Sequence, residues 1–146
     1  GAEELHSKLP PLYWGVSKRQ LCDFSCQVKA AGVVNRTPAH FKPYDQSRFD
    51  TAGPNMHQVN EQFIKACTNE DAKPIPWVSY ALLQNHEKGL ECDLYISHAW
   101  DEGTYEFCDI VLGAWPEGCA GAYICSLANP QNLNIGELIG APAQSP

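Results

Sequence analysis

Two adjacent side chains, Ser97 and His98, place a hydroxyl beside an imidazole inside the stretch LYISHAWDEGTYEF, residues 94–107. Such a pair invites a nucleophile–base reading, in which the imidazole takes the hydroxyl proton. Strand geometry argues against it, because neighbours on an extended chain point to opposite faces. No Gly-x-Ser-x-Gly elbow occurs to supply another nucleophile. Both side chains are expected to satisfy backbone groups where a strand turns into a loop. They are also candidate ligand contacts, since open α/β sheets bind ligands at their carboxyl ends. Asn129 and Gln131, in NPQNLN, suit turns and caps and are a second pair of candidate ligand contacts. Asp101 and Glu102 have the types of an acid/base pair or cation site. Their expected place is instead the amino end of the next helix, where negative charge is favoured. Cys22-x3-Cys26 has the look of half a zinc site without a second Cys/His pair at ligand spacing, so no metal is expected. GAWPEGCAGA lacks the GxGxxG and Walker spacings, and no cofactor is expected. Trp100 and Trp115 are read as core.

Those side chains need elements to hold them. CDLYISHAW (92–100) is rich in β-branched and aromatic residues and is bounded by Asp101-Glu102-Gly103, which predicts a strand. In TYEFCDIVLGAW (104–115), Phe107, Ile110, Val111, Ala114 and Trp115 recur at helical spacing, with Thr104 as the cap. AYICSLA (122–128) predicts a second strand after the turn PEGCAG. Strand, helix and strand make a βαβ unit, expected to have parallel strands and a right-handed crossover. Upstream, Met56, Val59, Phe63, Ile64 and Cys67 form a helical stripe. PWVSYALLQN (76–85) predicts another short helix, with Pro76 near its first turn and Trp77, Tyr80, Ala81 and Gln84 on one face. Residues 1–55 read as an extended arm rich in proline and aromatics, with one short helix. In that helix Leu21, Phe24 and Val28 share a face between an N-cap at Ser17 and a stop at Gly32. Tyr13, Trp14, Phe41, Tyr44 and Phe49 are the expected partner-docking anchors of the arm. Residues 56–146 then form the helical lead-in and the α/β module.

Composition narrows the function classes. An apolar fraction of 44% with 18% charged residues is that of a globular domain. A net charge of −7, with Lys18 and Arg19 the one adjacent basic pair, excludes nucleic acid as the main partner. The longest apolar runs, WVSYALL and AYICSLA, fall short of the roughly 18 residues that cross a bilayer. Peripheral association with a membrane complex stays open. Of seven cysteines, Cys67, Cys92, Cys108 and Cys125 sit in apolar patterns as small hydrophobes. That points to thiols in a reducing, intracellular compartment, with an organelle such as a plastid open. The sequon Asn35-Arg36-Thr37 has meaning only in a secreted protein. The absence of an initiator Met leads to the expectation of a processed or partial product.

DLYISHAWDE (93–102) resembles the opening strand of Toll/interleukin-1 receptor homology (TIR) domains. Together with AYICSLANPQNL (122–133), it is similar to a TIR-like group with a Ser-His-Ala-Trp strand, common in algae and other protists. The resemblance covers residues 56–146 and implies a flavodoxin-like fold of about five parallel strands, here only in part. It also implies that the glutamate required by NAD-cleaving TIR domains lies beyond Pro146, and neither Glu106 nor Glu137 stands in its place. Two parallel strands cannot cover a sheet, so the N-terminal segment, further residues or another protein must complete it. The expected function is a non-catalytic interaction or scaffold subunit that docks on other proteins. The alternatives are an NAD- or nucleotide-processing enzyme whose catalytic half is absent, and an accessory subunit of an organellar complex, a photosynthetic one included.

Overall fold

The computed structural model describes residues 1–34 and 53–133. Phe41, Tyr44, Phe49 and the sequon fall outside these residues. The described chain mixes helix and strand around a two-stranded parallel sheet. Helix α1 (Ala2–Lys8) leads through a 3-10 turn at Pro11–Tyr13 to α2 (Lys18–Ala31). A third helix, α3, occupies residues 56–67: α-helical over Met56–Val59, π-helical over Asn60–Ile64, and α-helical again over Lys65–Cys67. Then follow α4 (Tyr80–Asn85), β1 (Leu94–Ile96), α5 (Thr104–Gly113), β2 (Ala122–Ile124) and α6 (Cys125–Ala128).

Local chemistry sets the helix ends. Ser17 Oγ accepts the Gln20 N–H at 3.0 Å while Gln20 Oε1 accepts the Ser17 N–H at 2.9 Å, a reciprocal capping box. Gly32, at φ 72°, ends α2 in the left-handed region open to glycine. Asn55 and Gln58 repeat the capping box at the start of α3. A cap contributes about 1 kcal/mol. Burial contributes more: Leu21, Phe24 and Val28 are each wholly buried, at about 1.5–3 kcal/mol apiece. Packing therefore fixes α2 in place, and the cap fixes where it begins. Phe24 meets Phe63 and Tyr80 edge-on at 5.8 and 5.1 Å, joining α2, α3 and α4.

The sheet is parallel, with Leu94 opposite Ala122, Tyr95 opposite Tyr123 and Ile96 opposite Ile124. Its crossover helix is α5, as a βαβ unit requires. Both strands are shorter than their apolar runs suggest, because pairing covers only three residues. After Ile124 the chain winds into α6 instead of continuing as strand, so CSLA is helical. The helix expected from Pro76 begins instead at Tyr80, where Ser79 Oγ accepts the Leu82 N–H at 3.1 Å. Trp77 stands outside it at φ 72° and is partly exposed. Gly103, not Thr104, occupies the N-cap of α5, and Thr104 is its first residue.

The described part of residues 1–55 does not form an extended arm. Val16 and Ala122 exchange backbone hydrogen bonds at 3.0 and 2.8 Å, so the N-terminal segment closes the outer edge of β2. The same segment bonds residues 90 and 92 through Gly15 N–H to Leu90 O (2.9 Å) and Cys92 N–H to Leu12 O (2.7 Å). Gly121 permits this crowding, since a Cβ there would run into the Glu91 carbonyl and the Leu90 side chain. Trp14 is 1% exposed and its indole N–H donates to Leu9 O at 2.8 Å. Its docking partner is its own chain. Two apolar clusters result: one gathers α2, α3, α5 and the faces of Ala122 and Ile124, the other Trp14, Val78, Leu82 and Ala128.

Candidate functional site

Four candidate contacts lie beyond the carboxyl ends of the two strands. Ser97 is exposed and His98 half-buried, with ring contacts from His98 to Phe107 (4.5 Å) and Trp100 (6.3 Å). Burial holds the His98 imidazole below its ordinary pKa, although a backbone hydrogen bond at Ala99 and the charge of Glu102 pull the other way. No hydrogen bond joins Ser97 to His98 among the described residues. His98 Nε2 is itself buried without a hydrogen-bond partner, as are Thr104 Oγ1, Asn60 Oδ1 and Ser126 Oγ. Asn129 and Gln131 serve their own turn: Asn129 Oδ1 accepts the Tyr123 hydroxyl at 2.6 Å, and Gln131 Nε2 donates to Ser126 O and Asn129 O. The two pairs follow adjacent strands, but only Asn129 and Gln131 are hydrogen-bonded on their own segment, while His98 packs on Phe107 of α5. Asp101 and Glu102 precede the N-cap of α5, and Asp101 lies 3.4 Å from His57 Nε2. Trp115 donates its indole N–H to Cys119 O at 2.9 Å and packs against the core with Trp100. All seven cysteines are free thiols. No group of three or more metal-ligating side chains gathers among the described residues.

A different feature lies along β1. Leu94 N–H donates to Gly121 O at 3.2 Å, across to the segment entering β2. In a parallel ladder successive residues address opposite neighbours. Leu94 and Ile96 therefore bond toward β2, and the N–H and C=O of Tyr95 face outward. No strand pairs with that outer edge among the described residues. The two strands consequently differ: Ala122 and Ile124 are wholly buried, whereas Tyr95 is 64% exposed and Leu94 and Ile96 are half-buried. An exposed edge is usually blunted by lysine, proline or a bulge. Leu-Tyr-Ile has none of these, and only its three-residue length limits the edge.

Beside the edge runs an apolar groove of about 200 Å³, lined by Leu94, Ile96, Ile110, Val111, Trp115 and Pro116 among others. Its origin is the apolar stripe of α5. Thr104, Phe107 and Cys108 take the buried face, and burial pushes the Cys108 thiol up to about 12. Ile110 is thereby turned outward and is 60% exposed. The volume is below the roughly 300–1,000 Å³ of a small-molecule pocket, so the groove suits anchoring side chains better than a free ligand.

The charges carried by the segment that lines it share one sign. After Lys88 the sequence has eight acidic residues and no lysine or arginine. Glu106 stands one turn before Ile110 on the same helical face, Asp109 adjoins Ile110, and Glu117 follows Pro116 at the end of the groove. All three are exposed, and none has an ion pair among the described residues. Asp93, at the head of β1, is held below the usual carboxylate range by the N–H groups of Ala120 and Gly121. This asymmetry is legible in the sequence as a long stretch without a cation, a signal that the scatter of basic residues elsewhere conceals. No family model, curated protein or solved structure matches the chain.

Proposed function

We propose that this chain is a non-catalytic protein-interaction module that docks onto a larger assembly by taking an extended segment of another protein beside β1. The outer edge of β1 carries the reading: an apolar, unblunted strand whose Tyr95 backbone groups face outward next to the β1–α5 groove. An added strand would hydrogen-bond Tyr95 N–H and C=O and turn alternate side chains into the groove. The N-terminal segment already closes the β2 edge, so one side of the sheet is finished, and no described residue pairs with the other. A partial TIR-like α/β module, as the Ser-His-Ala-Trp strand suggests, fits the same picture, as does an accessory subunit of an organellar complex.

The test is a titration of the isotope-labelled full chain with synthetic peptides of alternating valine, against an amphipathic helical peptide of equal hydrophobicity. Saturable NMR shifts at Leu94, Tyr95, Ile96 and Ile110 with the strand-forming peptides alone are expected. Their absence with every strand-forming peptide would contradict the reading.

A further inference from the structure

We infer that the segment docking beside β1 is basic, with lysine or arginine flanking an alternating apolar core. The inference rests on the docking reading above and deepens it by naming the chemistry of the partner. Glu106 and Asp109 are exposed on α5 beside Ile110 in the chain, Glu117 follows the groove-lining Pro116, and Asp101 and Glu102 lie past the carboxyl end of β1. A chain laid along β1 would therefore meet a segment, residues 89–133, that carries carboxylates and no lysine or arginine. A cation that does approach α5, Lys29 of α2, sits over the Tyr105 ring at 4.9 Å, five residues before the exposed Ile110. It leaves the groove rim acidic.

Charge also discriminates among occupants. A second copy would bring a β1 edge with the same acidic flanks, so like charges would face each other across the contact. The sequence after Leu133 contains Glu137 and no cation, which makes it a poor match for the rim. A basic segment gains attraction where both of these meet repulsion. The apolar core anchors the segment, and the flanking cations speed its encounter and set its register.

The experiment uses the full chain and three synthetic peptides with one alternating valine core, flanked by lysine, glutamine or glutamate. Exposed ion pairs are individually weak, so two to three of them predict about tenfold tighter binding of the lysine-flanked than of the glutamine-flanked peptide at low salt. The preference should shrink to about twofold or less in 0.5 M salt, where the Debye length is only a few ångströms. Glu106→Gln combined with Glu117→Gln should weaken the lysine-flanked peptide several-fold and leave the glutamine-flanked one unchanged. Equal binding of lysine- and glutamine-flanked peptides at low salt overturns the basic-partner inference while leaving the docking face standing. Tighter binding of the glutamate-flanked peptide, or self-association of the chain through β1 in sedimentation, overturns it as well. Failure of all three peptides to bind defeats the docking reading, and this inference with it.

Discussion

Acid should loosen the molecule at His6, and the expected size can be worked from its surroundings. His6 is 2% exposed on α1, its Nε2 accepts the Ser79 N–H at 3.1 Å, and its ring meets Trp14 edge-on at 4.7 Å. Protonation would set a donor against the Ser79 donor and put a charge in an apolar cluster. Burial accordingly lowers the His6 pKa from 6.5 to about 4. Because the unfolded chain binds this proton more readily than the folded one, stability from His6 is fully present above about pH 6.5. It is lost as pH falls toward 4. At pH 4.5 the loss approaches roughly 2–3 kcal/mol, a sizeable part of the 5–15 kcal/mol that holds a typical domain together. Burial acts on His98 in the same direction and adds to the same window. Urea titrations at pH 7.5, 6, 5 and 4.5 would separate the two histidines through His6→Gln, which retains an acceptor for Ser79 but does not titrate. The variant should be less stable at pH 7.5 by about 1 kcal/mol, having lost the ring contact. Its further loss on acidification should be smaller than that of the parent by about 2 kcal/mol. Parallel stability curves for the two proteins would refute the reasoning.

Three other outcomes follow from the packing and the site. Gly121→Ala should cost roughly 1–3 kcal/mol in chemical denaturation, because the new methyl meets backbone at Glu91 and cannot be accommodated by a side-chain rotation. Thr104→Val should be neutral or stabilising by up to about 1 kcal/mol, since Thr104 Oγ1 is buried without a partner; a clear loss would show that the hydroxyl is engaged. The purified chain should not turn over NAD in a product-release assay, and turnover that survives repurification would favour the enzymatic alternative.

Much of the scaffold was legible because short-range chemistry decides it. Ser17, Gly32 and the Leu21–Phe24–Val28 face place α2 without reference to the rest of the fold, and the alternation of strand, helix and strand marks the parallel pair. What escaped depends on contacts distant in sequence. Trp14 looked like a surface anchor because nothing near it foretells that His6 and the Leu9 carbonyl enclose it. Ile110 looked like core because helical spacing identifies an apolar stripe without saying how wide the buried face is. Here Phe107 and Cys108 fill the core, and Ile110 becomes part of a groove instead. The lengths of β1 and β2 were overestimated because β propensity cannot tell where a partner strand stops. The capping box Asn55-x-x-Gln58 was visible in the sequence and marks the start of α3 directly. Ser97 and His98 fall just past the end of β1, and the feature that carries the proposed docking lies two residues before Ser97, at the backbone of Tyr95.

Amide exchange at β1 tests the central claim most directly. In the free chain Tyr95 N–H should exchange at least tenfold faster than Ile96 N–H, because the former faces an edge that no described residue pairs with and the latter bonds toward β2. Saturation with the lysine-flanked strand peptide should slow Tyr95 to the range of Ile96. A Tyr95 amide already protected in the free chain, or one indifferent to the bound peptide, would contradict the account.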